Sequence, residues 1–209
     1  MTSHDRRRVL TFGAASAAAT ALAGCLPGPP PPPRRFYLTA LDTPPPGIRT
    51  APWSLVVEPP QTVPALRTTR IAQAIGDNEF DYYADAEWGD LPPLMFQAVT
   101  IRSFERSDAV ALVASERERL RPDFRLTTSL VPFFAVGAVG TPPEARVGVD
   151  ARLIRNRDRE VVATRSFEQA RRADSPDIAA VVAAFDAASH AVIRELIVWT
   201  VEAGDSAAT

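Results

Sequence analysis

Few residues in this chain of 209 are equipped for chemistry. It holds one Cys and two His, and all 23 of its basic residues are Arg. Without Lys, no Schiff base or lysine general base is available. A Cys/His zinc site needs about four ligands and is excluded on count, and a single Cys forms no disulfide within the chain. Asp186, His190 and Arg194 recur at i, i+4 spacing, which reads as a solvated ladder on a helix. Ser189, the adjacent hydroxyl, points about 100° away on a helix of 3.6 residues per turn, so nothing marks a nucleophile for His190. Asp81, Asp85, Glu87 and Asp90 could supply a carboxylate pair, with Asp85 and Glu87 roughly 7 Å apart on one strand face. The same residues read more simply as a polar face opposite Tyr82, Ala84, Ala86 and Trp88. No catalytic residue and no metal ligand is assigned.

The chemistry that the sequence does announce is covalent lipidation at Cys25. Arg6, Arg7 and Arg8 precede an apolar, Ala-rich run of about 14 residues, Val9 to Leu22, which suits a signal-peptide core and is too short to span a bilayer comfortably. It closes with Leu22-Ala23-Gly24-Cys25, similar to the bacterial lipobox. Cleavage between Gly24 and Cys25 would free an amine for one acyl chain, and the sulfur would carry diacylglycerol. At about 0.8 kcal/mol per buried CH₂, two or three chains anchor firmly where one is marginal. These lipids are the only covalent groups expected, and no cofactor is. Asp5-Arg6-Arg7-Arg8-Val9-Leu10 suits a twin-arginine export signal as well as a general one, and both routes stay open. An Asp after the Cys is the familiar inner-membrane retention signal of enteric lipoproteins. Leu26 stands there instead, which favours the inner leaflet of the outer membrane.

The elements behind this leader follow from composition. Thirteen of the 20 prolines precede residue 65. Pro27 and Pro29 to Pro33 suit a polyproline spacer of roughly 20 Å at about 3.1 Å per residue. The expected division is a signal peptide (1–24), a lipidated Cys with a Pro-rich stalk (25–34), an α+β domain (35–202) and a flexible tail (203–209). Within the domain, Phe36 to Leu38, Trp53 to Glu58, Glu79 to Trp88 and Ala109 to Val113 read as strands. Phe124, Leu126, Thr128 and Leu130 alternate on one face, and Ala145 to Leu153 does the same. Asn156-Arg157-Asp158 then turns the chain into a strand over Val161 to Phe167. Asp90 is a candidate cap for a helix carrying Leu94, Met95, Ala98 and Ile101. Ser175 and Pro176 open a longer amphipathic helix with Val181, Phe185, Ala188, Val192, Leu196 and Trp199 on one side. The sum is a mostly antiparallel sheet with two helices packed on one face. A formal charge of −2 and a pI near 5.8 argue against a nucleic-acid partner.

Three aromatics are candidate contacts. Val131-Pro132-Phe133-Phe134-Ala135-Val136 is unusually apolar for a segment that leaves a strand pattern and ends at Thr141-Pro142-Pro143. Phe133 and Phe134 therefore read either as a flap touching a partner or lipid, or as a strand extension tucked under a helix. Tyr83 is out of phase with Tyr82 and Trp88 and is expected at the surface, as an interface anchor or a bland exposed Tyr.

The series as a whole carries a family resemblance. It comprises the lipobox, Phe36-Tyr37-Leu38-Thr39, Arg70-Ile71 through Tyr82-Tyr83-Ala84-Asp85-Ala86-Glu87-Trp88, Ser103-Phe104-Glu105, Asp123-Phe124-Arg125-Leu126, Val161 to Phe167, and Val181 to Asp186. It resembles the ABC-type transport auxiliary lipoprotein family, the PqiC-like partners of Mce-domain lipid transporters. The resemblance implies an α+β fold similar to the TolB N-terminal domain and a non-enzymatic, periplasm-facing lipoprotein. Its partners would be an Mce-domain protein, a permease and an ATPase, and the system's substrate a lipid. The chain has no G-x-x-x-x-G-K-[ST] phosphate loop and, after the signal, no run of 18 apolar residues, so it reads as neither ATPase nor permease. A structural envelope lipoprotein that handles no lipid is the alternative.

Overall fold

The computed structural model describes residues 32–76, 79–138 and 140–208. Gly24 and Cys25, with the expected signal peptide and most of the expected stalk, lie outside the described residues. Eight strands form one sheet: β1 (Arg34–Phe36), β2 (Ala51–Val57), β3 (Arg70–Ile75), β4 (Glu79–Trp88), β5 (Val110–Ser115), β6 (Phe124–Val136), β7 (Glu144–Arg155) and β8 (Glu160–Arg172). Among the described residues two α-helices, α1 (Pro92–Arg106) and α2 (Ile178–Ala208), complete the α+β fold.

β6 organises the sheet. One of its edges pairs antiparallel with β7 along nearly its whole length, and β7 continues to β8 through a second long antiparallel ladder. The other edge is shared end to end. β2 pairs parallel with Phe124 to Leu126, Gln61 bridges Ser129, and β3 pairs parallel with Ala135 and Val136. The sheet therefore forks at β6, one branch running to β5 and the other through β4 to β1. The result is a mixed sheet whose longest ladders are antiparallel. The strict alternation of Ala145, Val147, Val149, Ala151 and Leu153 explains why β7 lies central: all five are buried, on the face that meets α2.

The helices cover one face because their apolar stripes demand it. Val181, Phe185, Ala188, Val192 and Leu196 recur at 3- and 4-residue steps and are each fully buried. The expected caps are not used. Leu91 occupies the N-cap of α1 without a side-chain bond, two prolines fill its first turn, and Asp90 accepts only from the Leu91 N–H at 2.7 Å. The Ser175 hydroxyl bonds the Asp177 N–H, so Pro176 precedes α2 instead of opening it. The expected flexible tail over 203–209 is corrected: α2 continues through Ala208. Gly204 is buried against Trp53, where a Cβ would sit 2.3 Å from Cζ2, and the indole N–H donates to Asp205 at 2.8 Å. Polar and small residues there look like a tail in sequence, but they pack on the end of β2.

The segment after β1 is also corrected. The strand ends at Phe36, and Leu38 to Leu41 instead form a strap across both helices. Leu38, Ala40 and Leu41 are buried. The Leu41 N–H donates to Ser103 on α1, and Arg106 of α1 reaches the carbonyls of Ala40 and Leu41 and the carboxylate of Asp42. Thr39 meets Asp186 and His190 on α2. His190 is thus no member of a merely solvated ladder. Its Nε2–H donates to the Thr39 carbonyl at 2.9 Å, since a carbonyl can only accept.

Candidate functional site

Two irregularities decide where the candidate aromatics point. Across β6–β7, Leu130 pairs with Val149 and Phe133 with Val147, so three residues of β6 span two of β7. The extra residue is a β-bulge at Val131–Pro132, and it reverses the phase of everything beyond it. Leu130 and Phe133 both face the helices, although period-2 alternation would send Phe134 inward. Gly148 makes the bulge possible: a Cβ there would lie 2.3 Å from Pro132 Cδ and 2.8 Å from the Val131 carbonyl oxygen. β4 holds the second irregularity. Arg70 pairs with Glu87 but Ala72 pairs with Tyr82, so β4 spends five residues against two of β3. Trp88 therefore faces the helices while Tyr82 and Phe80 face the other side.

Phe133 belongs to the hydrophobic core. It is 1% exposed and forms a triangle with Trp88 and Phe185 of α2, with ring centroids 5.6, 5.4 and 5.0 Å apart. Such pairs add about 0.5–1.5 kcal/mol each beyond area burial. The tucked-under-a-helix reading holds for Phe133.

Phe134 points away from the helices. It is half-buried, and its ring meets Phe80 edge to face at 5.1 Å. Phe80 is 42% exposed, and Val131 and Val63 are exposed to a similar degree. Val131 stands on the same outer side of β6. Val63 belongs to the loop whose Thr62 hydroxyl donates to the Leu130 carbonyl and whose Ala65 carbonyl accepts from Tyr82. Four apolar side chains thus mark the outer face at one end of the sheet. Arg146 stands directly across from Phe134 and is held by Glu144 at 3.0 Å. The sequence pattern did not single out Phe80. Its only signal was an aromatic in a stretch that reads as extended.

Tyr83 lies on the other side. The β4 irregularity puts it in phase with Trp88, so the expected exposed anchor is half-buried on the helix-facing side. Burial raises its pKa, so its phenol stays neutral and able to donate. It stands in a cleft of about 350 Å³ where the helix layer stops, between the ends of β3, β4 and β6 and the residues leading into α2. Among the described residues no group of His, Cys, Asp and Glu is gathered to hold a metal, and no helix is long and apolar enough to cross a membrane.

The described residues thus form an eight-stranded mixed sheet with two helices on one face and apolar side chains exposed on the other. The family model for the ABC-type transport auxiliary lipoprotein component matches residues 36–196, and the chain belongs to that family. The family is one of envelope lipoproteins serving ABC transport systems, not a class of enzymes. The crystal structure of protein XCC0632 from Xanthomonas campestris superposes with a TM-score of 0.78 at 31% identity, covering 83% of this chain and 98% of that one. A second solved structure, of an uncharacterized protein, shares the fold at a TM-score of 0.64 and 10% identity, covering 81% of this chain and 99% of the other. An uncharacterized protein of Bradyrhizobium diazoefficiens, bll6063, is 35% identical over 159 residues, 75% of this chain. The chain spans 41% of that protein's length.

Proposed function

We propose that this chain is an auxiliary subunit of an Mce-type lipid ABC transporter, acting in the periplasm by binding and tethering. Acyl chains on Cys25 hold it to a membrane, with the inner leaflet of the outer membrane favoured by Leu26, and the folded domain docks onto an Mce-domain protein. The observation that carries this reading is the family match, which runs from β1 to the middle of α2 and covers nearly the whole described fold. The outer patch supports it: Phe80, Phe134, Val63 and Val131 expose apolar surface beside a salt-bridged Arg, the composition of an interface core with a polar rim.

In-cell crosslinking tests it. A photo-crosslinking amino acid replaces Phe80 or, as a control on the far edge of the sheet, Val161, and the adducts are identified by mass spectrometry. Capture of an Mce-domain or other transporter subunit from position 80 and not from 161 is the expected result. Capture of envelope scaffold proteins alone would sink the transport reading and promote a structural lipoprotein.

A further inference from the structure

The inner cleft plays no part in the docking reading, and its lining is unusual. Its walls include Gln73, Ile75, Asp81, Tyr83, Pro143 and Pro176. About 350 Å³ lies within the range of small-ligand sites, about 300–1,000 Å³. Ile75, the two prolines and the fully buried Ala135 make the walls largely apolar. Gln73 and Asp81 are direct cross-strand partners, and Tyr83 follows Asp81 on the same face of β4. No side-chain hydrogen bond or ion pair to any of these three is found among the described residues. Gln73 and Tyr83 are half-buried and Asp81 is exposed, so all three keep hydrogen-bonding groups open to water or to a ligand head group that replaces it. Among the described residues, Asp81 is the only charged side chain lining the cleft.

We infer that this cleft binds one chain of an amphiphile whose head group carries hydrogen-bond donors, cationic or hydroxylated, with the head at Gln73 and Asp81 and the tail against Ile75, Pro143 and Pro176. The charge decides the head. A carboxylate or bare phosphate would meet the Asp81 carboxylate and be repelled, whereas an ammonium can donate to both Asp81 and the Gln73 side-chain carbonyl and a hydroxyl can donate to Asp81. The apolar surface decides the tail, which is stabilised by each CH₂ removed from water. The site is on the face opposite Phe80 and Phe134, so it stands independently of the transporter reading.

The test uses the full lipidated protein in phosphatidylcholine vesicles with two photoactivatable sixteen-carbon probes, a primary amine and a carboxylate. The expected result is labelling of peptides 73–83 and 135–143 by the amine at least fivefold above the carboxylate. Asp81→Asn should bring the two within about twofold. Ala138→Trp, placed at the exposed rim of the cleft, should abolish both while leaving the melting temperature unchanged. Equal labelling by both probes that Ala138→Trp does not reduce is ordinary membrane contact and overturns the inference. Absence of labelling, as when a peptide segment occupies the cleft, overturns it equally. Neither outcome touches the crosslinks from Phe80, so the two readings fail separately.

Discussion

The carboxylate of Asp186 receives both donors of Thr39, the backbone N–H and the hydroxyl, each at 2.7 Å across 147 residues of sequence. His190, one turn on, holds the same residue by its carbonyl. A carboxylate with two short charge-assisted bonds is a fixed point, and here it fastens the chain between β1 and β2 to α2. Asp186→Ala should cost about 1–3 kcal/mol, the range for removing bonds to a charged group at a partly exposed site. It should also raise hydrogen exchange at Thr39 more than at Leu41, which Ser103 still holds. Equal protection at Thr39 in the variant would show that packing of Leu38 and Leu41 holds the strap without Asp186.

The bulge makes two adjacent phenylalanines opposite in kind. Phe133→Ser should lower stability by about 3–5 kcal/mol, the cost of emptying a buried aromatic site. Phe134→Ser should cost under about 1.5 kcal/mol, because its ring is half-buried against an exposed Phe80. Chemical denaturation of the two variants side by side checks this, and similar losses would mean the phase reversal is wrong.

Gly148→Ala attacks the bulge from the facing strand. Its Cβ meets two backbone atoms of β6, the Val131 carbonyl oxygen at 2.8 Å and Pro132 N at 2.9 Å, besides the proline ring. Backbone cannot swing aside as a side-chain end can, so about 1–3 kcal/mol of overpacking cost is expected. A melting temperature equal to the parent's would overturn the assignment.

Ser189 is fully buried in α2 and its hydroxyl has no hydrogen-bond partner among the described residues. Ser189→Ala removes a desolvated polar group and improves helix propensity, so it should stabilise by about 1 kcal/mol. A loss of stability instead would reveal a partner for the hydroxyl.

Tyr83 supplies a pH signature. Burial raises its folded-state pKa above the unfolded value near 10. Its contribution to stability is therefore fully present below that value and is lost as pH rises through the folded pKa. Absorbance titration at about 295 nm should show one of the three tyrosines ionising late, and Tyr83→Phe should delete that component. Loss of an early-ionising component instead would show that Tyr83 is solvated.

Much of this protein was legible in its sequence because local rules decided it. The alternation of Ala145 to Leu153 defined β7, the i, i+3, i+4 stripe from Val181 to Trp199 defined the buried face of α2, and the two together implied an α+β sandwich. The series of short motifs pointed to the family, and the count of Cys, His and Lys removed whole classes of chemistry. What sequence periodicity could not decide was phase. One extra residue at Pro132 and three in β4 each turn a strand over, and each depends on a partner strand that only folding brings near: Gly148 opposite the first, Arg70 and Ala72 opposite the second. The same holds for Thr39 and Asp186, and for Gly204 under Trp53. Side-chain direction along an isolated strand is set by counting, but an irregularity is tolerated only where a neighbour leaves room for it. The facing of Phe133, Phe134 and Tyr83, and with it the division into an outer patch and an inner cleft, was therefore fixed by tertiary structure alone.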